Sequence, residues 1–348
     1  VNKQGLIETV GSGIPRIDFS DDANGALLLE PTRSNLITYS NDFTNASWTT
    51  NNATISINQL TSPDGSLNAD KITEDTSNTD HKTRDTIAFS SGSYTWSVFA
   101  KKSERNFVVI NVYDGTTLFG YTFDLLNGNL GSLVYGSGSV DANIEKYGNG
   151  WYRCSISFTA SSGSGQANVG TALNSSTTSY QGDGTSGVYI YGAQLEQGSY
   201  ATSYIPTSGQ SGGVTRVADA CNNENLNVDY SGDYTLYLEH ETLSITEYNQ
   251  FQFRQETSIS YIFRVGNSIN VGSGLYSATN TIGFNKFALS VGSDGSYSFY
   301  KNGSLLSSGS GLNANLETIK SDAVGMSIKD IKLYNTRLSN AELQALTQ

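Results

Sequence analysis

Apolar and polar residues alternate with a period of two along most of this chain, in short runs separated by Gly, Ser, Asn and Asp. That period puts successive side chains on opposite faces of a strand. Ser93–Ala100 sets Tyr94, Trp96, Val98 and Ala100 against Thr95, Ser97 and Phe99. Asn106–Tyr113 sets Val108, Ile110 and Val112 against Phe107, Val109, Asn111 and Tyr113, and the row of three β-branched residues is the better core face. Gly150–Thr159 and Val188–Leu195 repeat the pattern. Ser62-Pro63-Asp64-Gly65 is a turn signature, and Asn127-Gly128 after Phe119–Leu125 predicts a type I′ hairpin. A second series covers Tyr234–Leu238, Phe251–Arg254, Ser258–Val265, Phe284–Val291, Ser296–Lys301 and Ser327–Tyr334, with another hairpin at Asn302-Gly303 and a turn at Asp294-Gly295. One helix is predicted, Ser339–Leu346, with Ser339 and Glu342 spaced as a capping box. The fold class is therefore all-β: two antiparallel β-sandwich (jelly-roll) domains in tandem and one short C-terminal helix.

Residues 1–24 read as an extended N-terminal lead, in which Pro15 confines Ile14–Phe19 to an edge strand. The lead begins partway through an element, which suggests a segment upstream. Gly25–Trp48 is the one run without a counterpart elsewhere, and it is expected to close the first sandwich (25–207) while Leu27–Leu29 dock the lead. The Gly/Ser run 208–213 reads as a linker, and 214–348 as the second sandwich.

Composition narrows the function. The 348 residues carry a net charge of −12, with only 20 Lys and Arg scattered through the chain, which argues against a phosphate-binding surface and so against nucleic acid. No apolar window is long enough to insert in a membrane. Acidity of this degree suits a soluble surface or extracellular protein. Cys154, in an alternating strand, and Cys221, in a polar segment, read as two free thiols rather than a bridge.

Catalytic patterns are missing from the sequence. His81 lies in the charged stretch Asp80–Arg84, read as a loop, and His240 ends a strand between Glu239 and Glu241. Neither belongs to a zinc or nucleophile motif. Asp21 and Asp22 fall in a turn. Sugar recognition is the better match. Sugars pair apolar C–H faces with hydroxyls, so their sites join aromatic rings to amide or guanidinium groups. The positions opposite the core supply such a set: Asn111, Tyr113, Trp151, Arg153, Tyr189 and Tyr191. The same row is alternatively a second core face or a subunit interface. Trp96 reads as core, and Trp48 as a plug at the sandwich end.

Several motifs carry a family resemblance. LLLEPTRSNLITYSNDFTNASW, SPDGSLNADKITE, YTWSVFAKKSERNFVVI, YGNGWYRCSISF and VYIYGAQLEQGSYATSYIPT together resemble a carbohydrate-binding-module-like jelly roll of bacteriophage tail-fibre and receptor-binding proteins. FYKNGSLL and SIKDIKLYNTRLSNAELQAL resemble the close of a laminin-G or concanavalin A-like lectin domain. The resemblance implies a non-enzymatic virion fibre or appendage protein, a homotrimer in contact with other virion proteins, with host-surface polysaccharide as its partner. It also implies a structural Ca²⁺ held by Asp42 and Glu196 at one sandwich edge, with no other cofactor required. The alternatives are a secreted bacterial pair of polysaccharide-binding modules and a glycan depolymerase.

Overall fold

The protein is described by a computed structural model covering residues 1–20, 22–136, 140–223, 232–245, 250–255, 261–312, 315–321 and 325–348, the side chains of 221–223 excepted. Asp21, Ser258–Ser260 and the Cys221 thiol therefore lie outside the described residues. Strands dominate, as the alternation predicts, and the chain divides into two compact units. The first comprises Val1–Thr9 and Arg33–Arg216, the second Val10–Thr32 and Val217–Gln348.

The first unit is a sandwich of two six-stranded antiparallel sheets. The front sheet runs Asn129–Tyr135, Leu118–Asp124, Phe107–Tyr113, Gly163–Ala172, Lys82–Phe89 and Trp48–Asn51. The back sheet runs Asp141–Lys146, Tyr152–Ala160, Gly92–Lys102, Gly187–Gln197, Leu67–Glu74 and Ala53–Thr61. Val108, Ile110 and Val112 of the front sheet and Trp96, Val98, Cys154 and Ile156 of the back sheet share one buried core. The Trp96 indole N–H donates to Asn168 O at 3.0 Å, so its one polar atom is satisfied in that core. Trp48 plugs the sandwich against Phe43 and donates to Tyr39 O.

Cys154 is free and fully buried, and burial pushes its thiol well above the usual range. Thiolate is the reactive form. Cys154 is therefore expected to resist a thiol reagent such as DTNB in the native state and to react once denaturant opens the first unit. Prompt native-state labelling mapped to Cys154 by peptide mass would contradict that packing.

In the second unit, one sheet runs Ile17–Asp18, Ala26–Leu29, Met326–Tyr334, Tyr234–Thr242, Gly283–Val291, Tyr297–Lys301 and Ser304–Gly309. The other runs Cys221–Asn223, Thr318–Ser321, Gln250–Arg254, Tyr261–Gly266, Ser268–Val271 and Tyr276–Thr279. Phe251, Phe253, Phe263, Phe287 and Phe299 fill its core. The helix Asn340–Thr347 forms with the expected capping box: Glu342 N donates to Ser339 Oγ, and Ser339 N donates to Glu342 Oε2 at 2.8 Å. Leu343 buries its apolar edge against Tyr237, Ala288 and Tyr300.

Three placements differ from the sequence reading. Ala26–Leu29 does not close the first sandwich. It pairs with Ile17–Asp18 on one side and with Met326–Ile328 on the other, inside the second unit's sheet. Backbone N–H and C=O groups of a strand seek any free edge with matching apolar alternation, and Leu29 finds its burial with Met326 and Ile328. The run 208–213 folds back on the first unit, with Gly209 N donating to Thr38 O at 2.7 Å and Val214–Arg216 pairing with Arg33–Asn35. The two Asn-Gly hairpins also part company. Asn302 and Gly303 both adopt positive φ, as type I′ requires, whereas at the first hairpin only Gly128 does, and its N–H reaches back to Asp124 O.

Candidate functional site

The six residues proposed for sugar contact divide between two outward faces. Trp151, Arg153, Tyr189 and Tyr191 share the outer face of the back sheet, where Arg153, Phe99 and Tyr191 are cross-strand neighbours in one row. This row is a second buried layer rather than an open platform. Trp151 is fully buried, with its indole N–H on Thr61 O at 3.0 Å. Arg153 donates to Thr202 O at 2.6 Å and Ser97 Oγ at 3.1 Å, and its guanidinium lies over the Phe99 ring. Tyr191 is buried and donates to Asp64 Oδ2 at 2.8 Å, and burial pushes its hydroxyl far above the usual range. The cover is the unit's own chain. Tyr204 packs on Phe99 and Tyr191, and Ile7 and Tyr147 pack on the same cluster. Only Tyr189 stays half-buried. A long sequence separation hides this cover: nothing local to Phe99 or Arg153 announces that Thr202 and Tyr204 return across their row.

Asn111 and Tyr113 lie on the outer face of the front sheet. Cross-strand register carries a row across all six strands, through Tyr135, Gly120, Asn111, Asn168, Arg84 and Thr49. A second row, one step along the strands, joins Leu118, Tyr113, Gln166 and Thr86. Gly120 lets Asn111 and Tyr135 close in on the first row, since a Cβ there would sit 2.6 Å from Asn111 Cβ and 2.8 Å from the Tyr135 ring. Asn111 and Asn168 form a buried floor. Arg84, Gln166 and Tyr135 are half-buried, and Tyr113 is 39% exposed. Arg84 Nη1 donates to Gln166 Oε1 at 3.0 Å, and the Tyr135 hydroxyl lies 2.9 Å from Thr178 Oγ1.

The turn after Tyr113 is fixed by Asp114. Its Oδ1 accepts from Thr116 N and Thr117 N, and its Oδ2 accepts from Ser161 N at 2.8 Å. Burial opposes the charge, yet these backbone donors hold the carboxyl down to about 2. Tyr113 OH donates to Gly115 O at 2.7 Å, which ties the ring to that rigid turn. The strip thus combines a fixed aromatic ring, a guanidinium and amides on one sheet face.

Arg84, Gln166, Tyr135 and Asn168 were not singled out by the sequence. Asp80–Arg84 reads as a charged loop, but Lys82–Phe89 is a strand, with Thr83, Asp85, Ile87 and Phe89 turned inward. The alternation of that segment was the available signal. Gly163–Ala172 is too rich in Gly and Ser to read as a strand.

Both histidines serve packing. His81 is buried, with Nδ1 2.6 Å from Asn52 O and Nε2 3.2 Å from Tyr180 O. His240 lies inside its strand, fully buried and stacked on Phe287.

The implied calcium pair does not fit. Glu196 is fully buried, and both its oxygens already accept hydrogen bonds: Oε1 from Gln194 Nε2 and Thr202 N, Oε2 from Thr202 Oγ1. Asp42 is exposed and its Oδ1 accepts from Thr44 N and Oγ1. No group of three His, Cys, Asp or Glu side chains that could hold a metal occurs among the described residues.

No protein-family model and no curated protein matches the sequence. Among solved structures, the binding domain of Paraclostridial Mosquitocidal Protein 1 aligns with 34% of this chain and 37% of its own, at 11% identity and a TM-score of 0.26. The mouse laminin alpha1 chain, domains LG4-5, aligns with 95% of this chain and 88% of its own, at 11% identity and a TM-score of 0.20. Likenesses this low leave the fold to be read from the chain's own strand order.

Proposed function

We propose that the chain is a non-enzymatic, trimeric surface component of a virion fibre or appendage, and that its first unit binds host-surface glycan on the outer face of the front sheet. The observation that carries the binding reading is the strip of Tyr113, Gln166, Arg84, Asn111 and Tyr135 in adjacent cross-strand rows. An aromatic ring on a fixed turn supplies a stacking surface, while guanidinium and amide groups donate to hydroxyls. The adhesive reading over a catalytic one is supported by the histidines, whose ring nitrogens face backbone carbonyls or sit in the core. The virion setting rests on the motif resemblance.

Binding of the full chain to a glycan array, followed by titration of the best ligand, tests the site. Tyr113→Ala and Arg84→Ala are each expected to weaken binding about tenfold or more, in line with the loss of one stacking or charged hydrogen-bonding group, with thermal stability little changed. Binding that survives both substitutions would remove the front strip from consideration. Release of reducing ends from a bound polysaccharide would replace the adhesin with a depolymerase.

A further inference from the structure

The edge at which the calcium was expected carries a cation of the protein's own. Arg33, in the strand Arg33–Asn35, is nine-tenths buried, and its Nε lies 3.6 Å from Glu196 Oε2. Its guanidinium lies against the backbone of Gly198, where a Cβ would come within 2.6 Å of Nη2 and 2.8 Å of Nε. The Tyr200 ring is 5.7 Å from Arg33 Cζ. Gly198 is in turn held in place, its N–H on Ser93 O at 2.9 Å and its C=O accepting from Thr95 Oγ1 at 3.0 Å.

Glu196 is surrounded by donors. An amide N–H and a side-chain NH₂ point at one oxygen, a hydroxyl and the guanidinium approach the other. A calcium ion needs six to eight oxygen ligands with their lone pairs directed at it. Here two donors already point at Oε1 and one at Oε2, with the Arg33 guanidinium 3.6 Å from Oε2. Positive charge nearby stabilises an ionised buried carboxylate, and a planar, permanently charged guanidinium supplies it without a metal.

We infer that Arg33 takes the place of a divalent cation at this edge, so that the first unit closes around Glu196 independently of Ca²⁺. The cradle at Gly198 is the part of the site that admits the guanidinium.

Thermal unfolding of the full chain, with and without millimolar Ca²⁺ and after EDTA, is the first arm, and terbium luminescence sensitised by nearby rings is the second. The midpoint of the wild-type first unit is expected to be the same in all three conditions, with no terbium emission that Glu196→Gln removes. Arg33→Met is expected to lower that midpoint by several degrees, because it leaves Glu196 buried without its cation. Combining it with Glu196→Gln is expected to recover most of the loss. If Arg33→Met fails to fold, Arg33→Lys keeps the charge and is expected to fall between wild type and the double variant. The inference is overturned by a Ca²⁺-induced rise in the wild-type midpoint that disappears in Glu196→Gln. It is equally overturned if Arg33→Met is no less stable alone than with Glu196→Gln. A Ca²⁺ effect that Glu196→Gln leaves intact belongs to another site and agrees with the inference.

Discussion

Acidification from neutral pH to about pH 4 is expected to weaken the second unit and to strengthen the first. The opposition comes from which buried groups each core contains. In the second unit, burial lowers His240 from 6.5 to about 4, the backbone at Glu241 opposes that shift and Lys301 adds to it. Among the described residues its Nε2 has no hydrogen-bond partner, and its Nδ1 lies 3.5 Å from Thr242 Oγ1. The folded state therefore resists protonation that the unfolded state accepts. Stability from the neutral ring is present above pH 6.5 and is lost as pH falls toward 4, by about 3 kcal/mol.

The first unit holds Asp70 and Asp85, both raised from 3.8 to about 6, chiefly by burial. Asn58 N donates to Asp70 Oδ1 at 3.1 Å, but Oδ2 is buried with no hydrogen-bond partner among the described residues, and the nearby Asp42 raises the carboxyl further. Thr86 N donates to Asp85 Oδ1. These groups favour the folded state fully below pH 3.8, and that contribution is lost as pH rises through about 6. Allowing for residual solvent screening, the loss is on the order of 2 kcal/mol for each. Calorimetry of the full chain from pH 7 to 4.5, read alongside hydrogen exchange by peptide, separates the two units. Asp70→Asn is expected to stabilise the first unit at pH 7 and to flatten its pH dependence. His240→Leu is expected to remove most of the acid sensitivity of the second. A neutral-pH loss of stability in Asp70→Asn, or an unchanged acid slope in His240→Leu, would refute this account.

Trp151→Ala is expected to cost about 3–5 kcal/mol in the first unit, the range for deleting a fully buried aromatic side chain. The cost has two sources. The cluster of Phe99, Tyr191 and Ala69 loses its largest member, and Thr61 O loses the indole donor. For a unit of this size the midpoint is expected to drop by roughly 10 °C. Trp151→Phe keeps most of the packing and loses only the donor, so a smaller loss is expected. Glycan affinity of the variant that remains folded is expected to be unchanged, because the candidate strip lies on the other sheet. Unaltered stability together with lost binding would mean that the back face is the ligand site after all.

How far the sequence reaches is clear from particular elements. Period-two alternation was enough for the Phe107–Tyr113 and Gly92–Lys102 strands, including which side of each faces the core, because side-chain direction is set residue by residue along a strand. The Ser339 cap and the Asn302-Gly303 turn are local for the same reason. Alternation also assigned Asn111, Tyr113, Trp151 and Arg153 to outward positions. It carries no information on what lies beyond that surface. Tertiary structure decided that Tyr204 returns across Phe99 and Tyr191 and that Thr202 meets Arg153, while Tyr113 keeps solvent. It also decided that Ala26–Leu29 pairs with Met326–Ile328, about three hundred residues away, and that Arg33 meets Glu196. Strand pairing and ion pairing depend on which edges and charges the folded chain brings together, and the residues themselves bear no mark of their distant partners.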